Sequence, residues 1–273
     1  MFLNYKKWLF CLGVMFFVIV LYSGLHWPDK KLHVYFLDVG QGDSIFINTP
    51  NGKQMLIDGG AGNKIIYELA EIMPFFDRKI DVVVLTHPDK DHVGGLVEVL
   101  GRYDVEKVVI SGVESESSDY LEFLRRAKNS EVIYQNDKID FDFDGVFVDF
   151  LFPFDSLFGE HIFAMNDSSI VIKLVYKDVK ILLTGDLETD GEKELLEANV
   201  DLKADILKVG HHGSKTSSSM DFLEAIFPEI AVIQCGKNNK FGHPYPGVLE
   251  NLQNAGIEKI YRNDIDGRLE FIF

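Results

Sequence analysis

The stretch Leu85-Thr86-His87-Pro88-Asp89-Lys90-Asp91-His92-Val93-Gly94-Gly95 constrains this chain more than any other. It follows an apolar run, Ile80 to Leu85, with the length of a short buried strand, and it leads into Leu96 to Leu100, which has helical spacing. Four side chains able to ligate a metal, His87, Asp89, Asp91 and His92, fall within six residues at the end of that strand. They converge only if the backbone turns sharply around something charged, and a divalent cation meets that requirement. Neutral imidazoles mixed with carboxylates suit Zn, Mn or Fe. Gly94 and Gly95 let the backbone pass close to the site where a side chain would collide.

The rest of the chain alternates strands and helices, with antiparallel hairpins at the front. Leu32 to Asp38 alternates as a half-buried strand and breaks at Val39-Gly40-Gln41-Gly42-Asp43-Ser44. Ile45 to Asn48 and Gln54 to Ile57, joined through Pro50-Asn51-Gly52, form a hairpin ending in Asp58-Gly59-Gly60. A helix over Lys64 to Met73 stops at Pro74. Further on come a strand at Lys107 to Ser111, a helix at Asp119 to Lys128, and a hairpin within Asn136 to Phe152. A carboxylate closes the buried strand Ile181 to Asp186, a costly arrangement unless it is paired or coordinated. Another short strand, Ile206 to Gly210, runs into His211-His212-Gly213-Ser214. Adjacent residues at a strand end point in different directions, so one of these histidines is expected to ligate and the other to face substrate, and spacing does not decide which. Lys215 to Ser219 read as a helix N-cap before Asp221. Pro246 opens a helix to Ala255, and Lys259 to Phe273 closes the sheet. The pattern is α+β: two mixed sheets flanked by helices.

The motif His87-x-Asp89-x-Asp91-His92 resembles the signature of the metallo-β-lactamase superfamily, in a variant where Asp89 stands for the usual middle histidine. From about His33 to the C-terminus the chain is similar to the metallo-β-lactamase-like domain of ComEC-type DNA-uptake proteins and their free-standing exported relatives. The fragments "FLDVGQGDS", "LIDGG", Asn166-Asp167-Ser168-Ser169 and "CGKNNKFGHPYP" carry that likeness. It implies a four-layer αββα sandwich with two mixed β-sheets, and two divalent metal ions, Zn or Mn. By the same resemblance His87, Asp89 and Asp186 hold the first ion; Asp91, His92, His212 and the bridging Asp186 hold the second. Asp58 would orient a ligating imidazole. Asp38, Gln41 and Asp43 become rim residues, and Asn166, Ser169, Asn238 and Lys240 substrate contacts. His211 and His243 are the candidates for protonating a leaving oxygen, with Asp91 counted beside them as catalytic. The superfamily's third histidine ligand has no counterpart at Asn166 to Ser169, which predicts a weaker first site or a harder metal. His161 is expected to be a surface histidine.

The N-terminus and the charge bear on location and substrate. Lys6 and Lys7 precede an apolar run from Trp8 to Leu25, closed by Trp27 and Pro28. Residues 1–28 are therefore expected to be a signal peptide or a signal-anchor helix, with the catalytic domain, 29–273, outside the cytoplasm on the membrane, or secreted if the segment is cleaved. Cys11 and Cys235 offer no disulfide within that domain. The formal charge is −16, and −18 for 29–273 once Lys6 and Lys7 are set aside, so the surface repels polyanions in general. The expected activity is hydrolysis of phosphoester bonds through a metal-bridging hydroxide, by a phosphodiesterase or nuclease acting on DNA. Three alternatives carry less weight: a phosphocholine or teichoic-acid esterase of the envelope, a lactone or β-lactam hydrolase, and a non-catalytic membrane-anchored binding module. Partners are limited to a phosphoester substrate, single-stranded DNA among them, and the membrane; no protein partner is deducible.

Overall fold

The computed structural model describes residues 2–25, 29–135, 140–160 and 165–273, with side chains in the first segment described for residues 5–18. That segment is a helix, α1 (Phe2–Leu25), whose described side chains are exposed. Among the described residues no helix is long and apolar enough to cross a membrane, so the anchor expectation rests on the sequence.

The first sheet is built from β1 (His33–Phe36), β2 (Ile45–Asn48), β3 (Gln54–Ile57), β4 (Lys79–Leu85), β5 (Asp104–Ile110) and β6 (Glu131–Tyr134). Helices α2 (Lys64–Ile72), α3 (Lys90–Leu100) and α4 (Ser118–Ala127) lie between its strands in sequence. The second sheet takes β7 (Asp140–Asp142), β8 (Val146–Phe152), β9 (Val171–Tyr176), β10 (Val179–Leu183), β11 (Ile206–Lys208), β12 (Ile230–Ile233) and β13 (Lys259–Arg262). Its helices are α5 (Thr189–Glu197), α6 (Met220–Ile226) and α7 (Pro246–Asn254). A short α8 (Asn263–Asp266) then carries the chain back to β14 (Leu269–Ile272), which joins the first sheet beside β1.

Strand periodicity produces the layering. In β4 every residue but Lys79 is buried, and successive valines face opposite ways: Val82 and Val84 pack between the sheets, Val83 and Leu85 against the helices. A strand covered on both faces reads as a continuous apolar run, which is why 80–85 looked like one. The inter-sheet core also holds Phe36, Ile45, Ile172, Leu183 and Val232. Ile65, Leu96 and Phe123 bring α2, α3 and α4 onto the first sheet, and Leu195, Phe222 and Leu252 bring α5, α6 and α7 onto the second. This is the expected four-layer αββα sandwich of two mixed sheets.

Two local expectations change. The close approach allowed by Gly94 and Gly95 is to the 58–62 loop: a Cβ on Gly95 would sit 1.9 Å from the Gly59 carbonyl oxygen. The N-terminus of α6 is capped not by Ser219 but by buried Glu192, whose carboxylate accepts from the Ser218 N–H and, at 2.9 Å, from the Ser219 N–H. The hairpin expected within Asn136 to Phe152 is present as β7 and β8; residues 136–139 lie outside the described part.

Candidate metal centre

The C-terminal ends of β4, β10 and β11 meet at one rim of the sandwich. β4 leads into His87 to His92, β10 into Asp186, and β11 into His211 and His212. Three imidazoles, those of His87, His92 and His212, are buried there with Asp186.

The hydrogen-bond network assigns each ring the same tautomer. His92 Nδ1 donates to Asp58 Oδ2 at 2.8 Å, and His212 Nδ1 donates to the Gln234 carbonyl at 2.8 Å. The Thr86 hydroxyl donates to Asp58 Oδ2 at 2.7 Å, so its oxygen is left to accept from His87 Nδ1 at 3.0 Å. Each Nδ1 thus carries a proton and each Nε2 lone pair points inward. Those three Nε2 atoms and Asp186 Oδ1 are buried without a hydrogen-bond partner. Asp186 Oδ2 lies 3.2 Å from both His92 Nε2 and His212 Nε2, and Asp91 Oδ2 lies 3.4 Å from His212 Nε2. Lone pairs gathered at that distance repel unless a cation or protons lie among them, and buried polar groups left unmet are costly. The donors fit a divalent metal: His87, His92 and Asp186 converge as one group, and Asp91, His92 and His212 as another. His92 belongs to both groups.

Electrostatics in the metal-free protein follow from this crowding. Burial pushes His92 and His212 towards neutrality, but Asp186 with Asp58, and Asp186 with Asp43, outweigh it and raise both histidines well above their ordinary value. His87, buried beside His92, is pushed down to about 3. Burial opposes the ionised form of Asp186, yet His212 and His92 hold its carboxyl well below the usual range. Protons therefore occupy His92 and His212 where an ion would sit, and metal must displace them.

A buried lysine completes the inner wall. Lys208 at the end of β11 points between the sheets, donates to the Gly185 carbonyl at 2.7 Å, and forms an ion pair with Asp43. Its Nζ is 3.7 Å from Asp186 Oδ1. Asp43, expected on the rim, is buried instead, because it faces this lysine and His212 Nδ1 at 3.2 Å. Close backbone contact holds its loop in place: a Cβ on neighbouring Gly42 would lie 1.9 Å from the Asp91 carbonyl oxygen.

The open side is a cavity of about 120 Å³ lined by Gln41, Asp89, Asp91, Asp186, His211, His212, Phe241 and His243. Asp89 Oδ2 is 3.9 Å from His87 Nε2, and its side chain is half exposed. His211 Nε2 faces Asp186 Oδ2 at 3.8 Å, while Glu188 Oε1 accepts from its Nδ1 at 2.8 Å. His211 and His212 both adopt left-handed backbone, φ +43° and +54°, and their rings stand edge-on with centroids 5.9 Å apart. His243 stands edge-on to His211 with ring centroids 5.5 Å apart. Burial, with His212 and His211 nearby, lowers its pKa. Gln41 accepts from the Gly236 N–H at 3.2 Å, tying the first loop to the last.

The other expected substrate contacts divide. Ser169 is fully buried; its hydroxyl lies 3.3 Å from His87 Nδ1 and accepts from the Asp186 N–H at 3.0 Å, so it positions ligands rather than meeting substrate. Asn166 donates to Glu188 at 3.1 Å and is 3.4 Å from His211 Nδ1, one layer behind the cavity. Asn238 and Lys240 are exposed on the loop above, with Lys240 over the Phe241 ring, and neither lines the cavity. Asp38 pairs with Lys64 at 2.7 Å, outside the cavity. His161 lies outside the described residues. Lys208, Glu188, Gln234 and Phe241 were missed. A lysine inside the apolar strand 206–209 was the one signal available for the first.

Residues 37–237 match the Metallo-beta-lactamase superfamily, and the chain belongs to it. Its fold is that of the metallo-beta-lactamase fold protein YhfI from Bacillus subtilis, at a TM-score of 0.56 and 10% identity, covering 88% of this chain and 99% of that one. In sequence it is similar to the ComE operon protein 3 of Bacillus subtilis (strain 168), 33% identical over 96% of this chain and 35% of that protein. It is also similar to the competence protein ComA of Neisseria gonorrhoeae, 32% identical over 89% of this chain and 33% of that one. These are ComEC-type competence proteins, and the chain spans about a third of their length.

Proposed function

We propose that this protein is a two-metal phosphodiesterase of the cell envelope that cleaves single-stranded DNA from the outer side of the membrane. The observation that carries this reading is His211: a carboxylate-backed imidazole whose Nε2 faces the open cavity, directly across from the ligand cluster. Likeness to competence proteins supports DNA as the polymer.

Two divalent ions, Zn or Mn, held by His87, Asp89, Asp91, His92, His212 and a shared Asp186, would supply a hydroxide nucleophile and neutralise the phosphoryl oxygens. The chain's own residues do the rest. Asp58, Thr86, Ser169 and Gln234 fix the ligating rings. Glu188 accepts from His211 Nδ1, and His211, when it carries a proton on Nε2, presents that proton to the leaving oxygen. As the P–O bond breaks, that proton passes to the departing alkoxide and leaves His211 neutral. His243, kept neutral by burial and its histidine neighbours, hydrogen-bonds the substrate beside it. Phe241 shields the cavity from one side.

The test is cleavage of bis-p-nitrophenyl phosphate and of a single-stranded oligonucleotide by the Mn- or Zn-loaded protein. Both should be cleaved, Asp186→Ala should abolish activity, and His211→Ala should lower kcat by about 10²–10⁴-fold. A fully metal-loaded protein that cleaves neither diester defeats the reading.

A further inference from the structure

A second hollow, about 410 Å³, opens at the same edge of the first sheet as the metal centre. Its size falls in the ~300–1,000 Å³ range of small-molecule sites. The strand register places it: Leu85 pairs with Ile110 in parallel strands, so Gly112 at the hollow's wall leaves the sheet at the same edge as His87. Lys90, in the metal loop, pairs with Asp119 at 3.5 Å, joining that loop to the first turn of α4, which forms the floor. The Tyr120 hydroxyl donates to the Val113 carbonyl at 3.0 Å and fixes floor to wall.

The lining is aromatic and apolar, and it is open. Tyr134 and Phe158 meet edge to face with ring centroids 4.6 Å apart. Leu121, Tyr134 and Phe158 are 54%, 40% and 64% exposed, so the hollow presents apolar and aromatic surface to an incoming ring. Glu114, Ser115 and Glu116 also line it, both carboxylates being exposed. A carboxylate there repels phosphate and accepts hydrogen bonds from ring N–H and amino groups. The hollow therefore suits a flat, uncharged ring bearing N–H donors.

We infer that this hollow holds a nucleobase of the strand whose phosphate lies at the metal centre, with Phe158 and Tyr134 as its stacking surface. The inference rests on the phosphodiesterase reading for the identity of the strand. It also accounts for how a chain of formal charge −16 grips a polyanion: stacking on aromatic rings serves every base and needs no basic groove. Binding should accordingly tolerate sequence and depend weakly on salt.

The experiment uses the full chain, metal-loaded, with two probes. The first is a fluorescence titration of 2-aminopurine riboside 5′-monophosphate, a fluorescent base that keeps an amino group, against wild type, Phe158→Ala and Tyr134→Ala. The second compares kcat/KM for a dinucleotide with that for the same diester lacking one base. The expected result is binding weakened roughly five- to a hundredfold in the variants. Wild type should prefer the base-bearing diester, a preference the variants lose while bis-p-nitrophenyl phosphate is still cleaved. Equal 2-aminopurine nucleotide binding by all three proteins, or no preference for the base, overturns the base pocket and leaves the phosphodiesterase standing. Nucleotide binding that depends on Phe158 in a protein that cleaves no diester keeps the pocket and removes the phosphodiesterase.

Discussion

Asp58→Asn tests the geometry of the centre without touching an atom that faces the cavity. Asp58 is fully buried and accepts three hydrogen bonds: from the Thr86 N–H at 2.9 Å, the Thr86 hydroxyl at 2.7 Å and His92 Nδ1 at 2.8 Å. An asparagine keeps one acceptor oxygen, which the Thr86 N–H uses, and turns an amino group towards two donors. The least costly relief is for His92 to give up its Nδ1 proton and carry it on Nε2. That nitrogen then faces Asp186 as a donor and no longer ligates. Loss of such an orienting partner costs about 10–100-fold in metal affinity, which is roughly 1.4–2.7 kcal/mol. The assay is competition with a chelating indicator, under Mn and under Zn, with circular dichroism to confirm the fold. Uptake of the ion that His92 would hold through Nε2 should weaken. Affinity within twofold of wild type would show that the Asp58 contact does not set the tautomer.

Other expectations are independent of that one. Lys208→Met leaves buried Asp43 with His212 as its nearest cationic partner and should destabilise the metal-free protein by up to about 3–5 kcal/mol; urea denaturation reads this directly, and a change below about 1 kcal/mol would mean that His212 alone compensates Asp43. In the metal-free protein His92 and His212 are raised above their ordinary 6.5, so their stabilisation is complete below about pH 6.5 and is lost as pH climbs through the raised values. Asp186 is depressed, so its contribution is present above 3.8 and is lost as pH falls through its lowered value. Metal loading near neutral pH must expel the histidine protons. Calorimetry in buffers of different ionisation enthalpy should find protons released and affinity rising with pH; loading without proton release contradicts the assignment.

Part of the cluster was legible because His87, Asp186 and His212 follow the apolar strands that end at Leu85, Leu183 and Lys208, where a buried polar side chain is costly without a partner. The structure brings His87, Asp91, His92, Asp186 and His212 together, while Asp89 stands half exposed, 3.9 Å from His87 Nε2. Asp58 could be placed behind them only through family likeness. What was not legible depends on partners remote in sequence. Lys208 is buried because Asp43, in a loop of the other sheet, comes to meet it, and neither residue announces the other. The same meeting pulls Asp43 off the rim. Ser169 was expected as a substrate contact through family likeness alone, but its hydroxyl turns to His87 Nδ1 and the Asp186 N–H. The sheet order was also hidden, since no local pattern says that residues 269–272 return to lie beside residues 33–36.

That return has a kinetic side. β1 is an interior strand of its sheet only because β14 arrives to pair with it, His33 opposite Ile272, and Leu32 and Phe273 exchange two backbone hydrogen bonds. Until residue 272 has left the ribosome, the β1 edge stands open and the first sheet is short of a strand. Contacts of such long sequence separation form slowly, and the half-made chain is exposed to edge pairing with its neighbours while it waits. The order of synthesis thus leaves this fold's seam to be closed last.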